Sequence, residues 1–329
     1  MTGEGKILRN EEIPHEAWND LLSQFPYPSY FQSPKGFKEL RLFNGWQVEA
    51  LAIMGEKRLE AIVVYVIQKE KGLKSIFSKR CIIFSGPVFQ DQSSLNRLLK
   101  VLNEQVSGCV YIEVRNGYPS QEYKSCYQSC NWQYIPWLNF IVNTNSRDAM
   151  WSAVSESRRR QLKKAEKLGA YCANPKSESD VKSFYIILKD LYLSKVKKPL
   201  PQYEFFRQYF LSDHCNFVLV YFKSQVIGGI LCPFLEGVGS YEFYVAGLDQ
   251  EFKECYPSAM ATYGAMKQSN DLGLLFFDFM GGGSPEEGYG VREFKSRFGG
   301  EQVEWGRWLQ IRNKFIYQLG KWYIQRKAR

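Results

Sequence analysis

The chain has 329 residues, of which 45% are hydrophobic and 16% aromatic, so it is long enough for one large or two ordinary domains with substantial cores. Its formal net charge of +9 favours polyanionic partners such as nucleic acid or an anionic membrane surface. The longest apolar run, from Ala61 to Ile67, is too short to cross a bilayer, and the polar N-terminus is not typical of a signal peptide, so we expect a cytoplasmic protein.

Residue types that bind metals or activate nucleophiles are few and scattered in this sequence. Its eight cysteines form no CxxC pair, and most lie in apolar, strand-like runs, which indicates reduced core thiols. The two histidines, His15 and His214, lie in polar segments, and no GxGxxG, Walker, HExxH or GxSxG motif occurs. We therefore expect no metal or cofactor, and a chemistry that depends on carboxylates, lysine, arginine, tyrosine or backbone groups.

The first half of the sequence predicts four strands and a helix. Apolar runs on either side of a turn at Gly55 predict a strand pair, and an apolar segment that ends in FSGPVF predicts the third strand. A helical pattern and then a buried strand with Glu113 follow. The predicted bounds are 46–68 for the strand pair, 81–89 for the third strand, 93–104 for the helix and 109–116 for the last strand.

A dense cluster of cations begins the second half. From Arg158 to Lys167, six of ten residues are Lys or Arg. Apolar residues around them recur at spacings of three and four, with a gap at Arg158, which predicts one amphipathic helix over 151–168 that ends at Gly169. Two interpretations stay open, a solvated helix face and a binding site for phosphate, nucleic acid or membrane.

After this helix the second half repeats the element order of the first. It predicts a strand pair over 216–235, a third strand over 240–248, a helix over 257–267 and a last strand over 274–282. The repeat indicates tandem duplication and brings Glu113 and Asp278 to matching positions. Antiparallel strands that lead into a strand–helix–strand crossover make a mixed sheet, and ligands tend to bind beyond the carboxyl ends of the crossover strands.

This element order resembles the acyl-CoA N-acyltransferase (GNAT) fold. We therefore predict an α/β protein with mixed sheets and two GNAT-like domains produced by tandem duplication. The first domain is predicted to span 1–146 and the second 147–307. From residue 307 onward the chain has seven cations and no acid, and we predict an amphipathic helix over 308–329 that packs on the first domain.

Four motifs in this chain resemble those of the FemAB/FemX-type peptidyltransferases. YFQSPKGFKELRLFNGW resembles their N-terminal signature, and FSGPVF resembles their Gly-Pro strand end. WSAVSESRRRQLKKAEKLG resembles the helix that opens their second domain, and a long segment ending in FKSRFGGE resembles their Phe-Lys-x-x-Phe-Gly block. The matches run in order from Phe31 to Glu301. Because 174–217 has no room for the long charged hairpin of some relatives, the compact type is the better match.

The resemblance implies an aminoacyltransferase or acyltransferase. It transfers an amino acid from aminoacyl-tRNA, as co-substrate, to an amine of a peptidoglycan precursor or a related cell-envelope amine. Acyl-CoA-dependent N-acylation of an amino sugar or small amine is the alternative. A CoA site needs a glycine-rich phosphate cradle, whereas GLDQEFKECYPSAM has a single glycine, which disfavours CoA in the second domain and leaves the first domain open. A non-catalytic binding protein is a third class, which the FKSRF block disfavours.

The same resemblance assigns roles to cations of the predicted interdomain cleft. Lys295 in the FKSRF block matches a lysine near the acceptor phosphates and the reacting carbonyl, where an ammonium group stabilises an oxyanion. Phe294 beside it is predicted to contact the substrate. Arg41 matches a position at which relatives carry a lysine proposed to bind acceptor phosphates, and Lys38 is the alternative on the same helix.

Carboxylates and tyrosines complete the predicted substrate site. Glu113 matches a strand-end carboxylate that orients the attacking amine or accepts its proton, and a structural pair with Arg115 is the alternative. Asp278 is assigned to the substrate site, with the alternative that it holds the following glycine-rich loop through backbone N–H groups. Tyr241 and Tyr244 match tyrosines of the cleft, and strand alternation predicts that only one of them points inward.

The basic helix supplies the predicted donor site. Arg158 and Lys163 are the candidate ligands for the phosphates of the donor. The implied partners are aminoacyl-tRNA and a peptidoglycan precursor or other amine acceptor, together with peripheral contact with the inner face of the membrane.

Overall fold

The chain folds into two compact units. The computed structural model describes residues 5–43, 45–69, 78–197, 199–286, 288 and 290–328, with side chains in the last helix described as far as residue 322. The first unit comprises Met1–Pro136 and Trp305–Arg329, and the second comprises Trp137–Glu304.

Each unit combines one mixed sheet with helices. In chain order the first unit contains β1 (Lys6–Arg9), α1 (His15–Gln24), α2 (Pro34–Arg41), β2 (Trp46–Met54), β3 (Leu59–Gln68), β4 (Arg80–Ser85), β5 (Val88–Phe89), α3 (Gln92–Gln105), β6 (Tyr111–Asn116), α4 (Lys124–Ser129) and β7 (Gln133–Ile135). The second contains β8 (Leu138–Asn143), α5 (Arg147–Ala153), α6 (Glu156–Lys167), β9 (Tyr171–Ala173), α7 (Glu178–Leu191), α8 (Tyr203–Phe210), β10 (Cys215–Phe222), β11 (Gln225–Leu235), β12 (Gly239–Tyr241), β13 (Tyr244–Gly247), α9 (Pro257–Asp271), β14 (Phe276–Asp278), α10 (Gly290–Ser296) and β15 (Glu301–Glu304). The chain then returns to the first unit with β16 (Arg307–Ile311) and α11 (Lys314–Ala328).

The two sheets have the same strand order. In the first unit it is β1-β2-β3-β4-β6-β16-β7, with β5 also paired to β3, and in the second it is β9-β10-β11-β12-β14-β8-β15, with β13 also paired to β11. In both, the crossover strands are parallel, β4 with β6 and β12 with β14. Glu113 is the third residue of β6 and Asp278 the third residue of β14. The predicted tandem duplication, with these carboxylates at matching positions, is therefore confirmed.

The boundaries between the units differ from the predicted ones. The sequence prediction kept 137–146 in the first domain, but β8 pairs with β14 and β15 and so belongs to the second sheet. The predicted helix over 308–329 starts later, at Lys314, because residues Arg307–Ile311 pair with β6 and β7 as a strand. The helix itself contacts the first unit, where the ring of Tyr317 packs edge-on against that of Tyr111.

The helix predicted over 151–168 is two helices. The chain leaves the helical conformation at Val154, and Ser155 then caps α6 by accepting a hydrogen bond from the backbone N–H of Arg158. Gly169, with φ of +95°, ends the second helix as predicted. Leu162 and Ala165 on α6 are buried in the core of the second unit, beside Phe277 and Phe298.

The third strand of the second half is also divided. The sequence predicts one strand over 240–248, whereas β12 ends at Tyr241 and β13 starts at Tyr244. Between them the backbone N–H of Glu242 donates to Asp278 and that of Phe243 donates to Leu231, so consecutive residues turn to different neighbours. This division brings the side chain of Glu242 into the interior of the unit.

The FQSP motif builds part of the first unit. The amide of buried Gln32 donates to the carbonyls of Val64 and Phe84 and accepts from the N–H of Val64, which fixes the segment against β3 and β4. Ser33 then caps α2 by accepting a hydrogen bond from Gly36. Within the described residues, no helix is long and apolar enough to cross a membrane.

Candidate functional site

A buried ion pair lies at the centre of the second unit's candidate site. The Nζ atom of Lys295, on α10, is 2.9 Å from Oε1 of Glu242, and it also donates to the carbonyls of Phe279 at 2.6 Å and Gly281 at 3.0 Å. These three acceptors match the three N–H donors of an ammonium group. Lys295 is therefore fixed in place, and a substrate oxygen can bind it only by replacing one of these acceptors.

A tight turn after β14 presents those carbonyls. Met280 and Gly281 have φ values of +55° and +130°, and the latter lies in a region that glycine adopts readily. The carboxylate of Asp278 accepts hydrogen bonds from the N–H of Met280 and from the amide of Asn139, whose oxygen accepts from the N–H of Gly281. The structural alternative for Asp278, a carboxylate that holds the following loop, agrees with this geometry. Two loop residues, Glu287 and Tyr289, lie outside the described residues.

The electrostatics of this cluster favour a protonated Asp278 below neutral pH. Burial, with a smaller contribution from the charge of Glu242, raises the pKa of Asp278 to about 6, even though the hydrogen bonds from Asn139 and Met280 and the charge of Lys295 act to lower it. The second carboxylate oxygen of Glu242, Oε2, is buried and accepts no hydrogen bond from the described residues. The cluster thus holds one fixed cation and one carboxylate oxygen with unused acceptor capacity.

Arg158 is buried rather than exposed on the basic helix. Its guanidinium group lies over the rings of Phe294 and Phe298, 4.6 and 4.8 Å from their centroids, and its Nη1 donates to Gln161. Burial and the charge of Arg297 lower its pKa to about 10. The gap in the apolar stripe at Arg158 is therefore a core position filled by a cation that lies over aromatic rings. Its role as a donor-phosphate ligand stays a prediction, which this burial disfavours.

Of the remaining cations of α6, Arg159 is half-buried and donates to the carbonyl of Ser152, whereas the others are exposed and partly paired. Lys163 is exposed, with its ammonium group 5.8 Å from the ring centroid of Trp151. Arg160 pairs with Glu156, and Lys164 pairs with Glu254. Lys163 thus keeps the exposure that the predicted donor-phosphate role requires.

Both predicted tyrosines are buried, although strand alternation predicted that one would point inward. Tyr241 packs edge-on against Phe276, whereas Tyr244 packs against Phe205 and Phe206 of α8. Both are buried because elements of the second unit cover both faces of the divided strand, and which of them points toward the predicted cleft stays a prediction. Their contacts are with the core of the second unit.

In the first unit Glu113 is held between two arginines. Its Oε1 is 2.7 Å from Arg307 on β16, and its Oε2 is 3.0 Å from Arg115. Burial alone would raise the pKa of Glu113, but the two positive charges outweigh it and lower the pKa to about 2. A carboxylate with so low a pKa is a poor proton acceptor near neutral pH, so the geometry favours the structural alternative over a general base.

The two candidate acceptor-phosphate ligands of α2 differ in their surroundings. Arg41 pairs with Glu11 and lies over the ring of Phe37. Lys38 is exposed on the same helix. An ion pair already neutralises Arg41, so Lys38 is the less engaged of the two.

Aspartates occupy the helix N-termini that follow the third strands in both units. Asp91 caps α3 by accepting a hydrogen bond from the N–H of Ser94 at 2.8 Å. Asp249 accepts from the N–H of Ser258, the second residue of α9, at 3.1 Å and also from its hydroxyl. Because the helix N-terminus is where a GNAT domain would hold the pyrophosphate of CoA, each aspartate places a negative charge there.

Neither histidine belongs to these clusters. His15 is exposed at the start of α1, and His214 is half-buried against the ring of Phe234. Among the residues that the structure describes, no group of three or more His, Cys, Asp or Glu side chains could hold a metal ion.

Sequence reasoning missed Glu242 and Asn139, which complete the Lys295 cluster. A signal for Glu242 was present, because a lone carboxylate in the apolar segment SYEFYVAG must find a partner when it is buried. Within the second unit the fold brings Lys295, Asp278, Phe294 and Arg158 onto α10 and its immediate neighbours. Glu113, Lys38 and Arg41 belong to the first unit.

Comparison with known proteins identifies the fold. No family model matches the sequence, and no curated protein matches it significantly. The structure is similar to a crystal structure of FemX, with a TM-score of 0.69 and 15% identity over 95% of this chain and 99% of that chain.

Two further solved structures share the architecture. One is the C-terminal domain of a protein assigned as a lysylphosphatidylglycerol synthetase from Agrobacterium fabrum, with a TM-score of 0.58 and 12% identity over 93% of each chain. The other is a tandem GNAT protein from the clavulanic acid biosynthesis pathway, with a TM-score of 0.54 and 7% identity over 93% of this chain and 98% of that one. The chain therefore has the tandem GNAT-like fold of FemX, as its sequence motifs predicted.

Proposed function

We propose that the protein is an aminoacyltransferase that moves an amino acid from aminoacyl-tRNA to an amine of a peptidoglycan precursor or a related cell-envelope amine. The observation that carries this proposal is the likeness to FemX over nearly the full length of both chains. The likeness to a lysylphosphatidylglycerol synthetase domain, whose name implies an aminoacylated lipid product, supports an envelope acceptor.

The proposed reaction is attack of the acceptor amine on the ester carbonyl of the donor. A C–N bond forms, the ester C–O bond breaks, and the ribose hydroxyl leaves with a proton equivalent to the one that the amine loses. The carbonyl oxygen becomes negative in the tetrahedral intermediate, and a fixed ammonium nearby lowers the energy of that charge. Three acceptors hold the ammonium group of Lys295 in place, which is the preorganisation that this role requires. Its contact with the carbonyl of Gly281, at 3.0 Å, is the longest of the three, so the substrate oxygen would replace that carbonyl most easily.

The alternative, acyl-CoA-dependent N-acylation, has support from the tandem GNAT neighbour but meets an obstacle in both units. Asp91 and Asp249 occupy the N-termini of α3 and α9 with carboxylates. A pyrophosphate at either place would face like charge and would have to displace a capping hydrogen bond. Asp91 thus disfavours CoA in the first unit as Asp249 does in the second, and the two aspartates together favour the tRNA donor.

A binding screen followed by single-turnover transfer tests the proposal. Uncharged tRNA, acetyl-CoA and a muramyl-peptide nucleotide are titrated separately, and transfer of a labelled amino acid is then followed with each donor. We expect saturable binding of tRNA or the nucleotide and transfer from aminoacyl-tRNA. Saturable binding of acetyl-CoA with no response to the other two would reverse the ranking of the two donors.

A further inference from the structure

The last helix of the chain exposes a row of large apolar side chains. Phe315, Leu319 and Trp322 follow one another at spacings of four and three along α11 and are 79%, 47% and 50% exposed. Residues with these spacings lie on one face of a helix. Single exposed apolar residues are ordinary on protein surfaces, but three in register on one helix face mark an interaction surface. We call this face the apolar ridge.

The opposite side of the helix is anchored to the first unit, which fixes the direction of the ridge. The ring of Tyr317 packs against that of Tyr111, with 5.6 Å between centroids. Just before the helix, the guanidinium group of Arg312 donates to the carbonyl of Asn103 at 2.7 Å. Because Tyr317 lies two residues from both Phe315 and Leu319, its inward position turns both of them outward.

Cations accompany the apolar ridge. The sequence of α11 contains Lys314, Lys321, Arg326 and Lys327 and no acidic residue. Lys314 and Lys321 are exposed on the described part of the helix. The partner of this surface must therefore accept large apolar side chains and balance several positive charges at once.

We propose that α11 docks the protein on an anionic phospholipid bilayer, with the apolar ridge at the boundary between headgroups and acyl chains. An amphipathic helix with aromatic and aliphatic residues on one face and lysines beside them binds in the plane of such an interface. Tryptophan is suited to this depth because its ring is largely apolar while its N–H can reach the headgroups. Lysines near the surface add attraction to anionic lipids.

This partner fits better than RNA or a second copy of the chain. RNA binding would use the cations and could stack a base on Phe315, but it gives no reason to place the aliphatic Leu319 on the same exposed face. A second copy would bring the same cations against each other across a two-fold axis. The bilayer accounts for both features, and the proposal goes beyond the transfer reaction because it concerns where the protein acts, whichever amine is the acceptor.

Vesicle flotation of the full chain tests this proposal. The probes are vesicles of phosphatidylcholine alone and of phosphatidylcholine with an equal amount of phosphatidylglycerol. We expect the protein to float with the anionic vesicles and remain behind with the neutral ones. F315S/L319S should weaken the apparent affinity for anionic vesicles more than tenfold, and K314Q/K321Q should weaken it and reduce its salt dependence.

The matched control is L193S/L211S, which removes two leucines that are 70% and 57% exposed on the second unit. It should bind vesicles like the parent. Quenching by brominated phosphatidylglycerol gives a second readout that needs no destabilising change, since a Trp322→Phe variant should lose the quenching seen in the parent. Flotation that is absent, or equal in F315S/L319S and the parent, would overturn the proposal.

Two further measurements separate the other partners. If the apolar ridge joins two copies, sedimentation velocity without lipid will show a parent dimer that F315S/L319S converts to a monomer, with no flotation of either. If it binds RNA, F315S/L319S will lose tRNA affinity while still floating. Either result would assign the ridge to that partner and reject the bilayer.

Discussion

The ammonium group of Lys295 and the carboxylate of Glu242 are 2.9 Å apart, and their side chains are 10% and 4% exposed. A lysine of the FKSRF block is therefore part of the interior, although lysine is seldom buried without a partner. Removing one member of such a pair leaves the other as an uncompensated buried charge. Activity and stability must consequently be separated in any test of Lys295.

Lys295→Met should lower single-turnover transfer more than tenfold, because a charge that stabilises a developing oxyanion is commonly worth about 2–4 kcal/mol. It should also lower the free energy of unfolding by about 3–5 kcal/mol, since Glu242 loses its cation. Lys295→Arg should recover the transfer rate only in part, because a planar guanidinium cannot replace a compact ammonium group.

The control is Lys295→Met combined with Glu242→Gln, which removes the stranded charge. We expect urea unfolding to show that this double variant regains much of the lost stability while transfer stays low. A double variant that folds normally and transfers at the parent rate would remove Lys295 from the catalytic machinery.

Asp278→Asn should change how stability depends on pH. The pKa of Asp278 is about 6 in the folded protein against 3.8 for an ordinary aspartate, so the folded state binds this proton more tightly. The contribution of Asp278 is therefore fully present below pH 3.8 and falls as pH rises through 6. From pH 4 to 7.5, the asparagine variant should gain roughly 2–3 kcal/mol relative to the parent. Urea unfolding at both pH values measures this gain, with exposed Asp213→Asn as control. If the stability of Asp278→Asn and that of Asp213→Asn change with pH in the same way, the pKa of Asp278 is not raised.

Glu113→Gln should weaken the first unit without affecting transfer. The pKa of Glu113 is about 2 against an ordinary 4.5, so its stabilising contribution is complete above pH 4.5 and is lost as pH falls toward 2. The loss should be about 2–4 kcal/mol at neutral pH, because Arg115 and Arg307 keep their charges without a carboxylate. Chemical unfolding from pH 7 to 2.5 should show that the difference from the parent shrinks in acid. A large fall in transfer by a stably folded Glu113→Gln would instead restore the catalytic role.

Arg158 and Lys163 should respond differently although both belong to α6. Arg158→Ala removes a buried cation that lies over two phenylalanine rings and should cost about 2–4 kcal/mol of stability. Lys163→Ala should leave stability unchanged and reduce the slope of log affinity for tRNA against log salt by about one unit if it contacts phosphate. Filter binding over a salt series measures the slope, with exposed Lys57→Ala in the first unit as control. If Lys163→Ala and the control Lys57→Ala both have the same slope as the parent, Lys163 belongs to a solvated helix face.

The sequence predicts most elements because their signals are local. The strand pairs 46–68 and 216–235 are apolar runs on either side of tight turns. The helix over 257–267 starts at a proline and is rich in alanine and methionine, which favour helix, so each element is recognisable within its own segment. The sequence predicts a helix from residue 308 onward and misses the strand at Arg307–Ile311, because its partners, β6 and β7, lie far away in sequence. Strand formation there depends on tertiary context that no local pattern contains.

From the sequence, the candidate site is predictable only where a single residue can be recognised by its motif or by its position in the repeat. The resemblance singled out Lys295, and the repeat aligned Glu113 with Asp278. The partners of Lys295 could not be inferred, since Glu242 reaches it only because the third strand divides after Tyr241. The burial of Arg158 could not be inferred for a related reason. A cation within an apolar stripe is buried only if aromatic rings from elsewhere in the sequence, here those of Phe294 and Phe298, pack against it.

The position of β16 has a consequence for synthesis of the protein on the ribosome. The sheet of the first unit needs this strand between β6 and β7, yet its residues, Arg307–Ile311, are translated only after the whole of the second unit. The second unit is continuous from Trp137 to Glu304 and has all its strands before that point. The second unit should therefore complete its fold before the first, whose sheet stays incompletely paired until β16 has been synthesised. A chain truncated after residue 304 should resist protease across 137–304 while its first 136 residues remain sensitive.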